Sequence, residues 1–135
     1  MPKEDYLIKF LEKLGRVVAV MLGLREKEQV EDAIRLADET FKEVLTYDLN
    51  AIKNMSLHDF DVFVRKLGYT STYIEALAKL TDETALCYAE TGDKPTMRIF
   101  SEKALLLYCF LNEKDKTFSF EREMIIAELK QQIND

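Results

Sequence analysis

The sequence predicts an all-α fold of about six to seven helices arranged in antiparallel hairpins. Only four Gly and two Pro occur among the 135 residues, whereas β-rich architectures need many turn residues. Apolar residues also recur every three to four positions through most of the chain, which is the spacing of amphipathic helices. Finally, residues 91–95 form a tight break between two such segments. Gly92 is suited to end one helix, and Pro95 is suited to begin the next.

A chain of this length fits a single domain, residues 1–135, which opens with a hairpin at about residues 3–46. The first helix covers about residues 3–22 and is expected to end at Gly23. A close helix crossing would explain Gly15, since a helical Gly costs about 1 kcal/mol relative to Ala. Its apolar stripe is Leu7, Phe10, Leu14, Val17 and Met21, widened by Leu11, Val18 and Leu22. The second helix, at about residues 26–46, is predicted to bury Val30, Ala33, Ile34, Ala37, Phe41, Val44 and Leu45.

Residues 47–68 are predicted to form a connector and a short helix. A helical piece is expected at about residues 49–53. Ser56 then begins a helix as its N-cap, with Asp59 at the position that a capping box gives to Glu. Gly68 ends this helix, and the predicted inward-facing residues are Leu57, Phe60, Phe63, Val64 and Leu67.

A second hairpin is predicted at residues 71–112. Its first helix has two adjacent apolar faces, formed by Tyr73, Leu77, Leu80 and Cys87 and by Ile74, Ala78, Ala85 and Tyr88. Its second helix is apolar almost all round between Ala104 and Leu111, so it should lie at the centre of the domain or be covered by another chain. These apolar residues exceed what one core should require, which predicts a homodimer. A C-terminal capping helix at about residues 119–133 is predicted to bury Phe120, Met124, Ile125, Leu129 and Ile133.

The second hairpin resembles one tetratricopeptide repeat, a helical hairpin of about 34 residues with small residues at its crossing point. The residues that carry the resemblance are Ala85-x-x-Tyr88-x-x-x-Gly92-Asp93 followed by Lys103-Ala104-Leu105. Thr81 and Thr84 depart from the pattern, which has larger apolar residues there, and no Pro follows Leu111. Residues 32–37 resemble a second-helix fragment of another repeat. The resemblance implies a right-handed superhelix or a compact bundle.

The whole chain also resembles an uncharacterised family of short bacterial all-helical proteins, a domain of unknown function. The shared features are the opening helix at Asp5-Tyr6-Leu7-Ile8, the segment Leu14-Gly15-Arg16, and the repeat-like hairpin near the C-terminus. This resemblance implies a repeat-like helical fold and no known activity.

The formal net charge of −6 disfavours nucleic acid as a partner, because phosphate binding needs clustered Lys and Arg. Lys9, Lys13 and Arg16 are basic, but acidic residues interrupt them. A nucleic-acid regulator would need a basic surface that survives this acidity. A membrane is disfavoured too, since the purest apolar run, residues 17–22, is too short to span a bilayer.

A cytoplasmic protein without cofactor, metal or catalytic site is expected. Residues 1–5 do not resemble the basic start of a signal peptide. The chain has one histidine, His58, and two cysteines, Cys87 and Cys109. These three residues are fewer than the four ligands of a structural zinc site. Both cysteines are predicted to be reduced, inert core thiols.

The sequence favours a protein–protein interaction or adaptor module over an enzyme. One hypothesis is that Tyr69, Tyr73, Thr81, Thr84 and Tyr88 line a groove in which hydroxyl groups bond an extended peptide of an unidentified protein partner. The sequence favours the other interpretation, in which both threonines donate to the carbonyl one turn earlier and pack in the core.

A rival prediction is a small-ligand-binding protein or enzyme. Its internal pocket would lie around Tyr88, Tyr108 and the two cysteines.

Overall fold

The computed structural model describes the backbone of residues 2–135 and the side chains from residue 8 onward. Within these residues the chain forms seven helices and no strand, which confirms the predicted all-α class. The helices are α1 (Pro2–Glu26), α2 (Val30–Leu45), α3 (Leu49–Asn54), α4 (Leu57–Lys66), α5 (Ser71–Glu90), α6 (Lys94–Lys114) and α7 (Phe120–Asn134). The expectations for the side chains of Asp5, Tyr6 and Leu7 lie outside the described residues.

Local capping chemistry sets most helix starts, as the sequence predicts for two of them. Side-chain oxygens accept a hydrogen bond from a backbone N–H three residues on, which satisfies a donor without a partner in the helix. The capping residues are Asp48, Ser56, Thr70, Asp93 and Ser119.

Two predicted glycine stops are confirmed. Gly68 (φ 64°) and Gly92 (φ 83°) adopt the left-handed conformation that a side chain disfavours. The predicted hairpin break after α5 therefore lies where expected, with Pro95 in the first turn of α6.

Both predictions about the glycines of α1 are wrong. The helix continues through Gly23 to Glu26, and the chain turns only at Glu28, whose φ is 62°. A single Gly weakens a helix without breaking it when neighbouring turns are packed. No close crossing explains Gly15, because a Cβ added there would meet no atom within 4 Å.

The helices α1, α5 and α7 run in one direction, with α2 and α6 antiparallel to them. Arg25 near the end of α1 binds Glu83 in the second half of α5, whereas earlier residues of both helices share a cleft. The helix α7 returns along α6, since Gln132 Nε2 donates to Ser101 Oγ at 2.7 Å near the start of α6. The two hairpins α1–α2 and α5–α6 therefore stack side by side, and α7 covers α6.

The helix α6 is the centre of the molecule. It packs against α3, α4, α5 and α7, and the side chains of Phe100, Leu107, Tyr108 and Leu111 are buried. Lys103 is also buried, and its Nζ donates to the carbonyl oxygen of Met55 at 2.7 Å. The apolar pattern predicts that this helix is either central or covered by another chain, and the structure places it at the centre.

Four predicted core residues are exposed. Leu57 is 39% exposed in α4, and Phe120 and Met124 are 70% and 51% exposed in α7. The helix α7 turns a different face inward, with Arg122, Ile126 and Leu129 buried. Because α7 has apolar residues on both faces, the partners of Arg122 decide its rotation. Cys109, predicted to be a core thiol, lies on the exposed side of α6.

Candidate binding groove

Thr81 and Thr84 do not line a groove. Both are buried, and their hydroxyl groups donate to the carbonyl oxygens of Leu77 and Leu80, each at 2.8 Å. The favoured prediction of back-bonding within the helix is therefore confirmed, and the hypothesis that these two residues bind a peptide is wrong. Because each hydroxyl is hydrogen-bonded within its own helix, its burial costs little, and it is unavailable to a ligand.

The three predicted groove tyrosines do not share a surface either. Tyr73 is buried, and its ring lies 4.1 Å from the ring of Tyr69, centroid to centroid. Tyr69 donates its hydroxyl to the carbonyl oxygen of Val44 at 3.3 Å. Tyr88, near the opposite end of α5, stacks parallel on Phe100 with 5.6 Å between centroids. These rings join neighbouring helices and do not form one face.

An open cleft of about 360 Å³ lies instead between α1 and α5. Its lining is Leu11, Leu14, Gly15, Val18, Thr72, Glu75, Ala76 and Lys79. The floor is apolar, and the α5 side carries polar groups. Further along both helices, outside the cleft lining, the guanidinium of Arg25 donates to Glu83 at 2.6 and 3.2 Å and so joins α1 to α5.

A second apolar seam of α1 contributes Leu11, Gly15 and Val18 to the lining of this cleft. The seam comprises Ile8, Leu11, Gly15, Val18 and Leu22, whose spacing alternates between three and four positions as in a coiled-coil heptad. Ile8 is 54% and Leu22 is 40% exposed, while Leu11 and Val18 are half-buried. The sequence predicts that Leu11, Val18 and Leu22 widen a single apolar stripe. Their alternating spacing is the signal that distinguishes a separate seam.

Arg25, Glu83 and Cys87 form a closed cluster beside the cleft. Glu83 is buried, and Cys87 Sγ lies 3.9 Å from Glu83 Oε2. Burial and the adjacent Glu83 carboxylate raise the pKa of Cys87 to about 12. The thiol is therefore protonated and a poor nucleophile at neutral pH. Cys87 is buried among core residues, as predicted.

The helix α5 carries further carboxylates, of which Glu75 lines the cleft. Glu75 Oε2 lies 3.6 Å from Nη2 of Arg122, which also approaches Asp115 Oδ2 at 3.4 Å. Arg122 is buried and donates through Nη1 to Asn112 Oδ1 at 3.1 Å, while its Nε has no partner among the described residues. Asp82, two turns beyond Glu75, is half-buried. Its burial and the charge of Glu83 raise its pKa to about 6.

The residues around which an internal pocket is predicted do not line one common cleft among the five best-defined ones. Tyr108 is buried against neighbouring helices, and Tyr88 borders a different cleft, of about 350 Å³, which neither Tyr108 nor a cysteine lines. That second cleft, between α2 and α3, is polar. Asp38 there accepts from the backbone N–H of Leu49 and pairs with Lys42.

Among the described residues, no group of three or more His, Cys, Asp or Glu side chains could hold a metal ion. His58 is exposed just after the cap of α4, as expected. In the part of the chain that the structure describes, no helix is both long and apolar enough to cross a bilayer. Comparison of the sequence with protein-family models and with curated proteins, and of the fold with solved structures, finds no match.

Proposed function

We propose that this protein is a helical interaction module that binds a helix of a partner protein in the groove between α1 and α5. The observation that supports this proposal most directly is the second apolar seam of α1, whose residues have heptad spacing beside an open cleft. A seam of this kind is what an incoming helix packs against. From Ile8 to Leu22 it spans about 21 Å, enough for about four turns of a partner helix.

A small residue in the groove would let a partner helix approach closely. Helices pack with axes about 8–10 Å apart, and small residues permit the nearer approach. Gly15 lies midway along the seam with open space where a side chain would be. Burial of the exposed parts of Ile8 and Leu22 would contribute roughly 25 cal/mol per Å² of apolar surface.

The direction of the helices also supports an interaction module. The resemblance to tetratricopeptide repeats implies that the first helix of each hairpin lies on one common face. In this chain α1 and α5 are those first helices, they run in parallel, and the cleft lies between them. A partner on this face would contact both hairpins at once.

The second cleft supports a ligand-binding function less well. Two of its charged groups are already paired within the protein, since Arg35 pairs with Asp32 at 2.9 Å and Asp38 accepts a hydrogen bond from the backbone N–H of Leu49. A small-molecule site instead needs a few polar groups left to converge on the ligand.

Photo-crosslinking tests the proposed function. A photoreactive residue at Val18 should yield one defined protein adduct in the native host, identified by mass spectrometry. The same residue at the exposed Leu57 of α4 should not yield it. Adduct formation at Val18 should be lost when Gly15→Leu fills the cleft. Gly23→Leu is the matched control, since Gly23 also lies in α1 with no atom within 4 Å of an added Cβ, and outside the cleft lining.

Two outcomes would contradict the proposal. One is the absence of an adduct at Val18, and the other is the same adducts at Val18 and Leu57. An adduct with a second copy of this chain would assign the groove to the predicted homodimer. Light scattering of Gly15→Leu would then show a monomer.

A further inference from the structure

We infer that the partner helix of the proposed function is α1 of a second copy of this chain. The two copies of α1 pack antiparallel through the seam, about a two-fold axis between residues 14 and 15. The inference rests on the proposed function and names its partner. Its support is the symmetric spacing of the seam and two charged side chains along the exposed edge of the seam.

The apolar residues of the seam are arranged symmetrically about this axis. Leu11 and Val18 lie equally far from it on opposite sides, so an antiparallel copy places them directly opposite each other. Ile8 and Leu22 lie further out, and their distances from the axis differ by only one residue, about 1.5 Å along the helix. Each apolar residue of the seam therefore meets an apolar residue of the second copy, as an isologous interface requires.

The accessible part of the seam suits a helix–helix contact at this axis. Ile8 and Leu22, at its two ends, are 54% and 40% exposed. Gly15, beside the axis, is exposed and has no atom within 4 Å of an added Cβ. In the antiparallel pair it faces the partner's Gly15. The two backbones can therefore approach closely at the centre while the larger side chains pack together on either side.

Two charged residues, Glu12 and Arg16, follow the exposed edge of the seam. They lie one turn apart on the same face of α1 and on opposite sides of the axis. Both are exposed, and both lie outside the lining of the cleft. Neither forms an ion pair with another described residue, whereas Lys13 between them is paired with Glu43 of α2. Both charges are therefore free to pair with another chain.

An antiparallel pair of α1 helices matches both charges twice. Glu12 then lies within about 1.5 Å, measured along the helices, of the partner's Arg16, and the two-fold axis repeats this contact. A parallel pair would instead place Glu12 beside the partner's Glu12 and Arg16 beside the partner's Arg16, which is repulsive. The charges therefore favour the antiparallel arrangement and a partner of the same sequence.

Sedimentation equilibrium of the purified chain, between about 1 and about 300 μM, tests the inference. The mass should rise from that of the 15.7 kDa chain toward twice that value. Glu12→Arg and Arg16→Glu should each raise the dissociation constant of the dimer at least about tenfold, because each places like charges across the axis. The two substitutions change the net charge in opposite directions, so a general effect of charge cannot explain both losses.

Three further samples sharpen the test. The double variant Glu12→Arg/Arg16→Glu should restore the dissociation constant to within about threefold of the natural value. An equimolar mixture of the two single variants should form a heterodimer, because the arginines of one chain then face the glutamates of the other. Glu39→Arg, at an exposed position of α2, is the matched control and should leave the dimer unchanged. Circular dichroism checks that each variant is folded.

The outcomes separate this inference from the proposed function. A monomer at every concentration, or a dimer that both single variants leave unchanged, would overturn the inference. So would a dimer that the single variants weaken and the double variant does not restore. The photoreactive residue at Val18 then decides the proposed function, since an adduct with a different protein would retain the groove and the absence of any adduct would overturn both.

Discussion

The helices α1 and α6 both carry more apolar residues than one buried stripe requires, but they use them differently. The surplus of α6 is covered within the molecule by α3, α4, α5 and α7. Over its described residues, the helix α1 packs mainly against α2 and α5, and its second seam stays partly open beside the cleft. An excess of apolar residues on a helix therefore does not by itself identify an interaction surface. The number of helices packed around it decides whether those residues stay accessible to a partner.

The most sensitive test of this comparison truncates one apolar residue on each helix and compares the losses of stability. Leu107→Ala in α6 should lower the free energy of unfolding by about 3 kcal/mol, because it leaves a cavity in a packed centre. Leu22→Ala in α1 should change it by less than about 0.5 kcal/mol. Urea denaturation followed by circular dichroism measures both. Similar losses for the two variants would show that the seam of α1 is already covered.

The ion pair between Arg25 and Glu83 offers a second test, since it joins the two hairpins. Arg25→Met leaves a buried carboxylate without its cation and should cost about 3 kcal/mol. Hydrogen exchange should increase along α1 more than along α6. The double variant Arg25→Met/Glu83→Leu serves as the control and should recover most of the lost stability. If exchange rises equally in both helices, the pair does not hold α1 specifically.

A third test uses the effect of Asp82, on α5, on the pH dependence of stability. The pKa of Asp82 is raised from 3.8 to about 6, so the folded state holds its proton more tightly than the unfolded state. The stabilising contribution is therefore complete below about pH 4 and is lost as the pH rises through about 6. Asp82→Asn escapes this loss and should be more stable than the natural protein by about 1–2 kcal/mol at pH 7.5. Thermal unfolding at pH 4 and pH 7.5 measures the difference, and an equal effect at both values would contradict it.

The smallest expected effect concerns Gly15. Gly15→Ala should raise the free energy of unfolding by about 0.5–1 kcal/mol, because Ala is the better helix former and the added methyl group meets no atom within 4 Å. Urea denaturation measures it, with Gly23→Ala as the matched variant in the same helix. A destabilising result at Gly15 alone would mean that another chain already occupies the cleft.

Local signals in the sequence predicted the helix ends well. Ser56 and Ser119 act through hydrogen bonds within three residues, and Gly68 and Gly92 act through their own backbone angles. These features need no knowledge of distant packing. Gly23 failed as a stop because packing of α1 against its neighbours outweighs the intrinsic weakness of one glycine.

Predictions that depended on which face of a helix is covered fared less well. Phe120 and Met124 fit an apolar spacing on α7, yet the buried Arg122 and its partners on α5 and α6 turn that face outward. The spacing of Thr81 and Thr84 likewise allowed both a groove and a back-bonded core. Only the position of neighbouring helices distinguishes them, and that position is not encoded in the spacing of one segment.

Glu75 has a double role that ties the groove to the far side of the molecule. Its carboxylate faces the cleft and is also one of the acceptors around Arg122, the residue that anchors α7. A group of a bound partner that donates a hydrogen bond to this carboxylate would compete with Arg122 for it. Binding between α1 and α5 would thus weaken the contact between Glu75 and Arg122. The C-terminal helix would then be anchored more firmly in the free protein than in the complex.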